Sequence, residues 1–370
     1  MSDPLHVISA PTSVFIAITG RCNLNCKHCN VGDHQNRNYY ELSTEEWKGF
    51  FRELESLRVF QMRISGGEPF VRKDIYELFD YIQARPFWMD INTNAILVDE
   101  AGARRIGNYP HVGNILVSLD GSTAAVYEQM RGPNTFKAAI RGMENLLKYN
   151  RRRVSFYCTV TQTNVNDIEN MIKLVKDWPS AGIKFNHMMP GGNADLNREM
   201  ALTPLERRRL SERMVELKEK YSIVSGTILD TYHMFKDFET RYDKIKDSNP
   251  HPRLVSGCNS VRHDITVRFE GNVTPCDRLS HMVCGNILQQ SFQDIWLNSP
   301  LLNEFRRRMK ITLADFEDCR NCPYNCLCSG GCPAIPYSLG KGIFSQDPFS
   351  CYKVYNVDES HPVPQDCYWI

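Results

Sequence analysis

The chain has 370 residues, enough for two or three domains. It carries 44 Lys and Arg against 43 Asp and Glu, a net charge of +1, so no single-sign field marks it for nucleic acid or a membrane surface. No apolar run approaches the roughly 20 residues that span a bilayer. The start, Met1-Ser2-Asp3-Pro4, lacks the charged and apolar regions of a signal peptide, so the expected compartment is the cytoplasm. Fourteen cysteines in a reducing compartment point to metal or cluster ligation rather than disulfides. Arg151-Arg152-Arg153 reads as a solvated helix end.

The first element is a short apolar strand, 14–19, and it leads into Cys22-x3-Cys26-x2-Cys29. Three thiols in one short loop can converge on a single point and leave one position of the site without a protein ligand. In iron–sulfur chemistry a small molecule can bind the metal at that position. The plainer reading is a zinc site short of a ligand, but structural zinc closes with four ligands and favours paired C-x2-C units. Next, Ser43 and Glu46 form a capping box opening a helix whose apolar residues are Trp47, Phe50, Phe51, Leu54 and Leu57. Strand 59–64 ends in Ser65-Gly66-Gly67-Glu68-Pro69, helix 75–82 follows, and strand 88–91 ends at Asn92-Thr93-Asn94. A helix near 98–107 precedes strand 114–119, which ends in Ser118-Leu119-Asp120-Gly121. Helices near 123–130 and 135–149, strand 154–160, helix 167–175 and strand 183–188 complete this half.

Strand and helix patterns alternate six times, the signature of a parallel sheet with right-handed crossovers. The expected fold class is therefore α/β. Six units are too few for the eight of a closed barrel, so a partial (β/α)6 barrel, open on one side, is expected over residues 1–200. The glycine-rich and polar sequences all fall at the C-terminal strand ends, the edge that carries active sites in such sheets. In the 65–69 turn, two glycines let backbone approach a ligand, with Glu68 as an acceptor. Ser118 and Asp120 are hydrogen-bonding candidates, and Arg131 is a two-pronged donor for a carboxylate. Cys158, inside an apolar strand, reads as an inert core thiol.

Residues 201–255 are expected to be a helical connector. Thr203-Pro204 opens a charged helix to about Tyr221 with a buried stripe of Leu205, Leu210, Met214 and Leu217, and 236–256 reads as a polar linker or surface loop. Residues 256–370 then hold ten of the cysteines. Cys258 precedes a β-hairpin, Asp264–Phe269 and its return, that ends in Pro275-Cys276-Asp277. Cys319-x2-Cys322-x5-Cys328-x3-Cys332 and a trailing Cys351 follow, more thiols than one tetrahedral site takes.

Together, C-x3-C-x2-C after the first strand and Gly-Gly-Glu-Pro after the second resemble the radical S-adenosylmethionine (SAM) superfamily over residues 12–195. The resemblance implies a [4Fe–4S] cluster on Cys22, Cys26 and Cys29 whose open iron binds SAM, and reductive SAM cleavage to a hydrogen-abstracting 5′-deoxyadenosyl radical. By the same resemblance, Gly66, Gly67 and Glu68 meet the SAM amino group, Ser118 the ribose or methionine part, and Arg131 the carboxylate. Pro190–Ala194 then borders the adenine, and His28 stands where the family has an aromatic residue. The later cysteines resemble the SPASM extension over 255–355. That pattern implies two auxiliary clusters, expected to be [4Fe–4S]: one on Cys319, Cys322, Cys328 and Cys351, the other on Cys258, Cys276 and Cys332. The fourth ligand of the second set is open, with Asp264, His263 or Cys284 as candidates; Cys326 and Cys367 read as spare thiols. Asp277 is the candidate catalytic acid–base group, and a hairpin-end aspartate bonded to backbone is its plainer reading.

The core-plus-SPASM arrangement implies a maturase of a ribosomally made precursor peptide, giving a cross-link, an epimer or a rearranged or excised backbone. Few residues precede Cys22, so a separate small leader-peptide-binding protein is expected as a partner, with a flavodoxin or ferredoxin as electron donor. The alternatives are a sugar or aminoglycoside dehydrogenase or epimerase, an anaerobic sulfatase-maturing enzyme, and a non-enzymatic cluster- or metal-binding scaffold, which leaves Gly-Gly-Glu-Pro unexplained.

Overall fold

The computed structural model describes residues 7–32 and 40–356. Its strands are β1 (Ser13–Ala17), β2 (Gln61–Ser65), β3 (Trp88–Thr93), β4 (Val112–Ser118), β5 (Val154–Val160), β6 (Gly182–His187), β7 (Val224–Ser225), β8 (Asp264–Val267), β9 (Asn272–Thr274) and β10 (Gly285–Asn286). They form one sheet in the order β10-β9-β8-β1-β2-β3-β4-β5-β6-β7. From β1 to β7 every neighbour is parallel. The register aligns apolar residues across strands: Val14 with Met62 and Met89, and Ile16 with Ile64 and Ile91, all fully buried. These residues form one face of the sheet, covered by the helices between the strands, while the alternate residues Phe15, Ala17, Ser65, Asn92 and Tyr157 on the other face line cavities.

Helices α1 (Thr44–Ser56), α2 (Ile75–Gln83), α3 (Glu100–Gly107), α4 (Ala124–Arg131), α5 (Phe136–Tyr149) and α6 (Ile168–Val175) alternate with the strands. The capping box of Ser43 and Glu46 starts α1, and Trp47, Phe50, Phe51 and Leu54 face the core. A short α7 (Gly192–Leu196) follows β6, and α8 (Pro204–Lys220) begins with a second capping box, Thr203 and Glu206.

The sheet extends past the six strands read from the sequence at both edges. On one side β7 continues it; on the other, β8 pairs in parallel with β1, Ile16 beside Val267, and carries β9 and β10 antiparallel. The C-terminal hairpin thus lies in the same sheet as the barrel strands. Two local expectations are corrected. The buried stripe of α8 holds Arg207, Leu210, Ser211, Met214 and Leu217, with Leu205 only half-buried. Within the expected 236–256 loop, α10 (Phe238–Asp243), after α9 (Thr227–Phe235), is helical because Phe238 buries itself against Phe235, Tyr324 and Tyr352. Among the described residues no helix is long and apolar enough to cross a membrane.

Candidate active site

The loop after β1 brings Cys22, Cys26 and Cys29 to the wall of one cavity of about 230 Å³ at the C-terminal strand ends. Glu41 fixes the loop's start, accepting from Thr19 Oγ1 and Gly20 N at 2.8 Å each. Its far end is clasped by the segment after β6: Asn193 Nδ2 donates to Asn25 Oδ1 (2.7 Å) and Cys26 O (3.0 Å), and Ala194 N to Cys29 O (3.3 Å). Gly192 sits at φ +54°, and a Cβ there would lie 2.7 Å from Cys29 O. Pro190–Ala194, expected at the adenine, is therefore also part of the support of the cysteine loop. Burial pushes the Cys22 thiol up to about 12, with Cys26 and Cys29 close enough to add to the shift. A thiol so placed stays neutral until a metal draws off its proton.

The same cavity is lined by Gly66, Gly67, Glu68, Ser118 and Arg131. Gly66 has φ +143°, and a Cβ at Gly67 would stand 2.2 Å from Arg21 O, so only glycines let this turn lie against the cysteine loop. Glu68 is fully buried. Its oxygens accept from Thr93 Oγ1 and Asn94 N, both at 2.7 Å, and from Phe70 N at 3.3 Å. Burial outweighs these bonds and raises its pKa to about 7. Arg131 Nε donates to Asp120 (2.5 Å) and Nη1 approaches Cys26 Sγ (3.8 Å), leaving Nη2 unbonded among the described residues. Asp120 also holds His28 Nε2 at 3.2 Å and accepts from Thr159 N at 2.7 Å. Burial alone would raise its pKa, but the Arg131 charge and His28 hold the carboxyl well below its ordinary range. His28 lines the cavity with its buried Nδ1 unpartnered among the described residues. Cys158 is fully buried, and burial pushes its thiol far up, as an inert core residue requires.

A second cavity, of about 260 Å³, adjoins the first; both are lined by Asn30, Val31, Ser65, Gly66, Gly67, Asn92 and Tyr157. Asp277 and Arg278 stand on its far wall, next in sequence to Cys276. The cysteines beyond fall into two groups. Cys276 feels Cys332 and Cys258, and burial raises all three. Cys319 feels Cys328 and Cys322, Cys351 feels the same two, and all four line one small cavity. Asp347, which the sequence did not single out, ties the groups together: Oδ2 accepts from Cys332 N (2.8 Å), and the carboxylate also lies near Cys328. Cys284 turns away into the core, with Ser299 and Arg306 as its strongest electrostatic neighbours. His263 lines a different cavity, beside Ile8 and Lys310, and Asp264 sits in the ladder opposite Ser13. Cys326 is half-buried with its Sγ toward Pro323 O (3.6 Å), and Cys367 lies outside the described residues.

Among the described residues no three His, Cys, Asp or Glu side chains are spaced to hold a single metal ion. Three thiols lining one cavity suit a cluster in which each cysteine binds a different iron and one iron keeps an open position. With the unbonded Arg131 Nη2, the orphaned His28 Nδ1 and the glycine turn, the first cavity has room and polar partners for a zwitterionic ligand beside such a cluster.

Residues 16–175 match the model of the Radical SAM superfamily, and residues 258–323 that of an iron–sulfur cluster-binding domain, SPASM. The chain therefore carries a radical SAM domain followed by a SPASM region, the two domains of an enzyme that uses S-adenosylmethionine and iron–sulfur clusters. Among curated relatives, the mycofactocin maturase MftC of Mycolicibacterium smegmatis is 28% identical over 348 residues, covering 92% of this chain and 83% of the relative. An AdoMet-dependent heme synthase of Methanosarcina barkeri is 25% identical, covering 94% and 99%. Among solved structures, Streptococcus suis SuiB bound to its precursor peptide SuiA aligns with a TM-score of 0.71 at 16% identity, covering 93% of this chain and 76% of that one. Native anSMEcpe with bound AdoMet aligns at 0.67 and 18% identity, covering 93% and 95%. At these identities the two structures speak to the fold.

Proposed function

We propose that this enzyme modifies a ribosomally made precursor peptide, beginning with removal of a hydrogen atom from a backbone or side-chain carbon. The observation that carries the reading is the pair of adjoining cavities. One is lined by Cys22, Cys26, Cys29 and the glycine turn; the other shares a wall with it and carries Asp277 and Arg278, which follow Cys276 in sequence, so a substrate there would stand near both cysteine groups. The likeness to a maturase along most of the chain, and to the fold of a peptide-bound enzyme, supports it. When bound, the cluster and SAM supply one-electron cleavage that yields a hydrogen-atom abstractor.

In this reading Cys22, Cys26 and Cys29 hold the first cluster, and Gly66, Gly67 and Glu68 receive the SAM amino group. Ser118 receives its ribose or methionine part, and Arg131 Nη2 its carboxylate. Cys319, Cys322, Cys328 and Cys351 hold one auxiliary [4Fe–4S] cluster; Cys258, Cys276 and Cys332 hold another, whose fourth ligand comes from outside this trio. Asp277, facing the second cavity, takes the proton released as the substrate is oxidised. We also propose three functional parts, 1–200, 201–255 and 256–370, a cytoplasmic setting, a separate leader-binding protein, and a flavodoxin or ferredoxin as electron source.

The test is anaerobic reconstitution with iron and sulfide, then SAM, dithionite and each short peptide found to be encoded within a few genes of this one. The expected products are 5′-deoxyadenosine and a peptide of altered mass, with Asp277→Asn cleaving SAM but releasing little finished product. An unchanged peptide alongside a converted sugar or porphyrin would sink the peptide reading.

A further inference from the structure

The second cavity has three charged side chains on its wall, Arg268, Asp277 and Arg278, and each carries polar atoms that no described residue satisfies. Arg278 makes no hydrogen bond or ion pair with a described residue; its strongest electrostatic neighbours are Asp277, Cys332, Cys276 and Tyr157. Arg268 is 5% exposed, and its Nε is fixed on Glu270 at 3.0 Å. That anchor orients the guanidinium and leaves Nη1 and Nη2 without an acceptor among the described residues. Arg268 is buried and Arg278 half-buried, and both guanidiniums line the same cavity, where an anion would give these two positive charges the partner their open N–H groups lack. The planar fork of arginine matches a carboxylate two bonds at a time. Neither arginine lines the cofactor cavity, so an anion held here would project the rest of its molecule toward the shared wall at Gly66, Asn92 and Tyr157.

We propose that the Arg268–Arg278 end of the barrel cavity is a carboxylate subsite for the substrate, rests on the peptide reading above, and takes either the peptide's C-terminal carboxylate or an acidic side chain. The cavity, about 260 Å³, has room for one such residue. The competing role for Arg278 is to offset the charge of the thiolates at Cys276 and Cys332. That role needs a positive charge but not a fork, so Arg278→Lys separates the two.

The experiment is equilibrium dialysis of labelled probes against the anaerobically reconstituted, SAM-loaded full chain. The probes are N-acetyl-L-phenylalanine and its amide, N-acetyl-L-glutamic acid α-amide, and 3-phenylpropionate and its amide. The native chain is expected to bind acids at least about tenfold more tightly than the matching amides, the size of one charge-assisted bond pair. Arg278→Lys and Arg268→Lys should each cut that preference to about threefold or less, with iron, sulfide and the electron paramagnetic resonance spectrum of the auxiliary clusters unchanged. If Arg278→Lys loses iron, Arg268→Lys carries the same reading. Preference for N-acetylphenylalanine assigns the C-terminal carboxylate, and preference for the glutamate probe the side chain. A preference for 3-phenylpropionate with no binding of the N-acetyl amino acids keeps the subsite and removes the peptide. Equal binding of acid and amide by the native chain, or a preference intact in both lysine variants, overturns the subsite.

Discussion

Asp120 shows how a single buried carboxylate organises the cofactor side of the barrel. It binds Arg131 Nε and His28 Nε2, residues distant in sequence, and Arg131 in turn reaches Cys26. Removing it leaves a buried guanidinium without its counter-charge, so Asp120→Ala is expected to destabilise the fold by about 3–5 kcal/mol. Urea denaturation compared with Asp120→Asn, which keeps the shape, checks this. Gly67 makes a different prediction, because its role is room. A methyl group 2.2 Å from Arg21 O forces the turn off the cysteine loop, so Gly67→Ala should weaken SAM binding by at least about tenfold. Binding to the reconstituted protein at unchanged iron content would settle it.

At the scale of elements, the start of α1 and the turn before α2 are locked by one ion pair. Arg72 donates to Asp74 through Nε (3.0 Å) and Nη2 (2.6 Å), while Nη1 holds Ile18 O and Leu42 O; Thr44 Oγ1 also donates to Asp74 at 2.6 Å. Partial burial would raise the Asp74 pKa, but these bonds prevail and lower it from 3.8 to about 2. A depressed folded-state pKa contributes stability above the unfolded value and loses it as pH falls through the folded one. The stability gap between the native chain and Asp74→Asn should thus be constant above about pH 4 and close between pH 4 and about pH 2. A gap that widens on acidification would contradict the assignment.

For the whole molecule, the decisive feature is that β8 pairs with β1. Val267 is fully buried beside Ile16 and Val273, so the hairpin that presents Cys276, Asp277 and Arg278 continues the barrel sheet. A charge placed there has no partner and costs several kcal/mol, on the order of 3–5. Val267→Asp is therefore expected to lower auxiliary iron content and SAM affinity together, in one unfolding transition. Retention of full SAM affinity by a variant stripped of auxiliary iron would show that the two regions fold separately.

Much of this was legible in the sequence because its physics is local. Capping boxes at Ser43 and Thr203, the period-two apolar strands and the cysteine spacings each act within a few residues, and they fix the elements and the thiol loops. The cavity-lining positions of Gly66, Gly67, Glu68 and Ser118 follow from motifs at strand ends, the edge a parallel sheet exposes, and Arg131 joins them from the end of α4. What required the tertiary structure depends on residues far apart. Asp347 beneath Cys332, Asp120 between His28 and Arg131, and Arg207 buried on α8 while Leu205 is only half-buried carry no local signature. The helix at Phe238 forms because distant aromatics cover it. Sequence determined that three thiols would leave a place for a small molecule. Only folding, by laying β8 against β1, set Asp277 and the two arginines across from that place, because long-range strand pairing decides which side chains share a cavity.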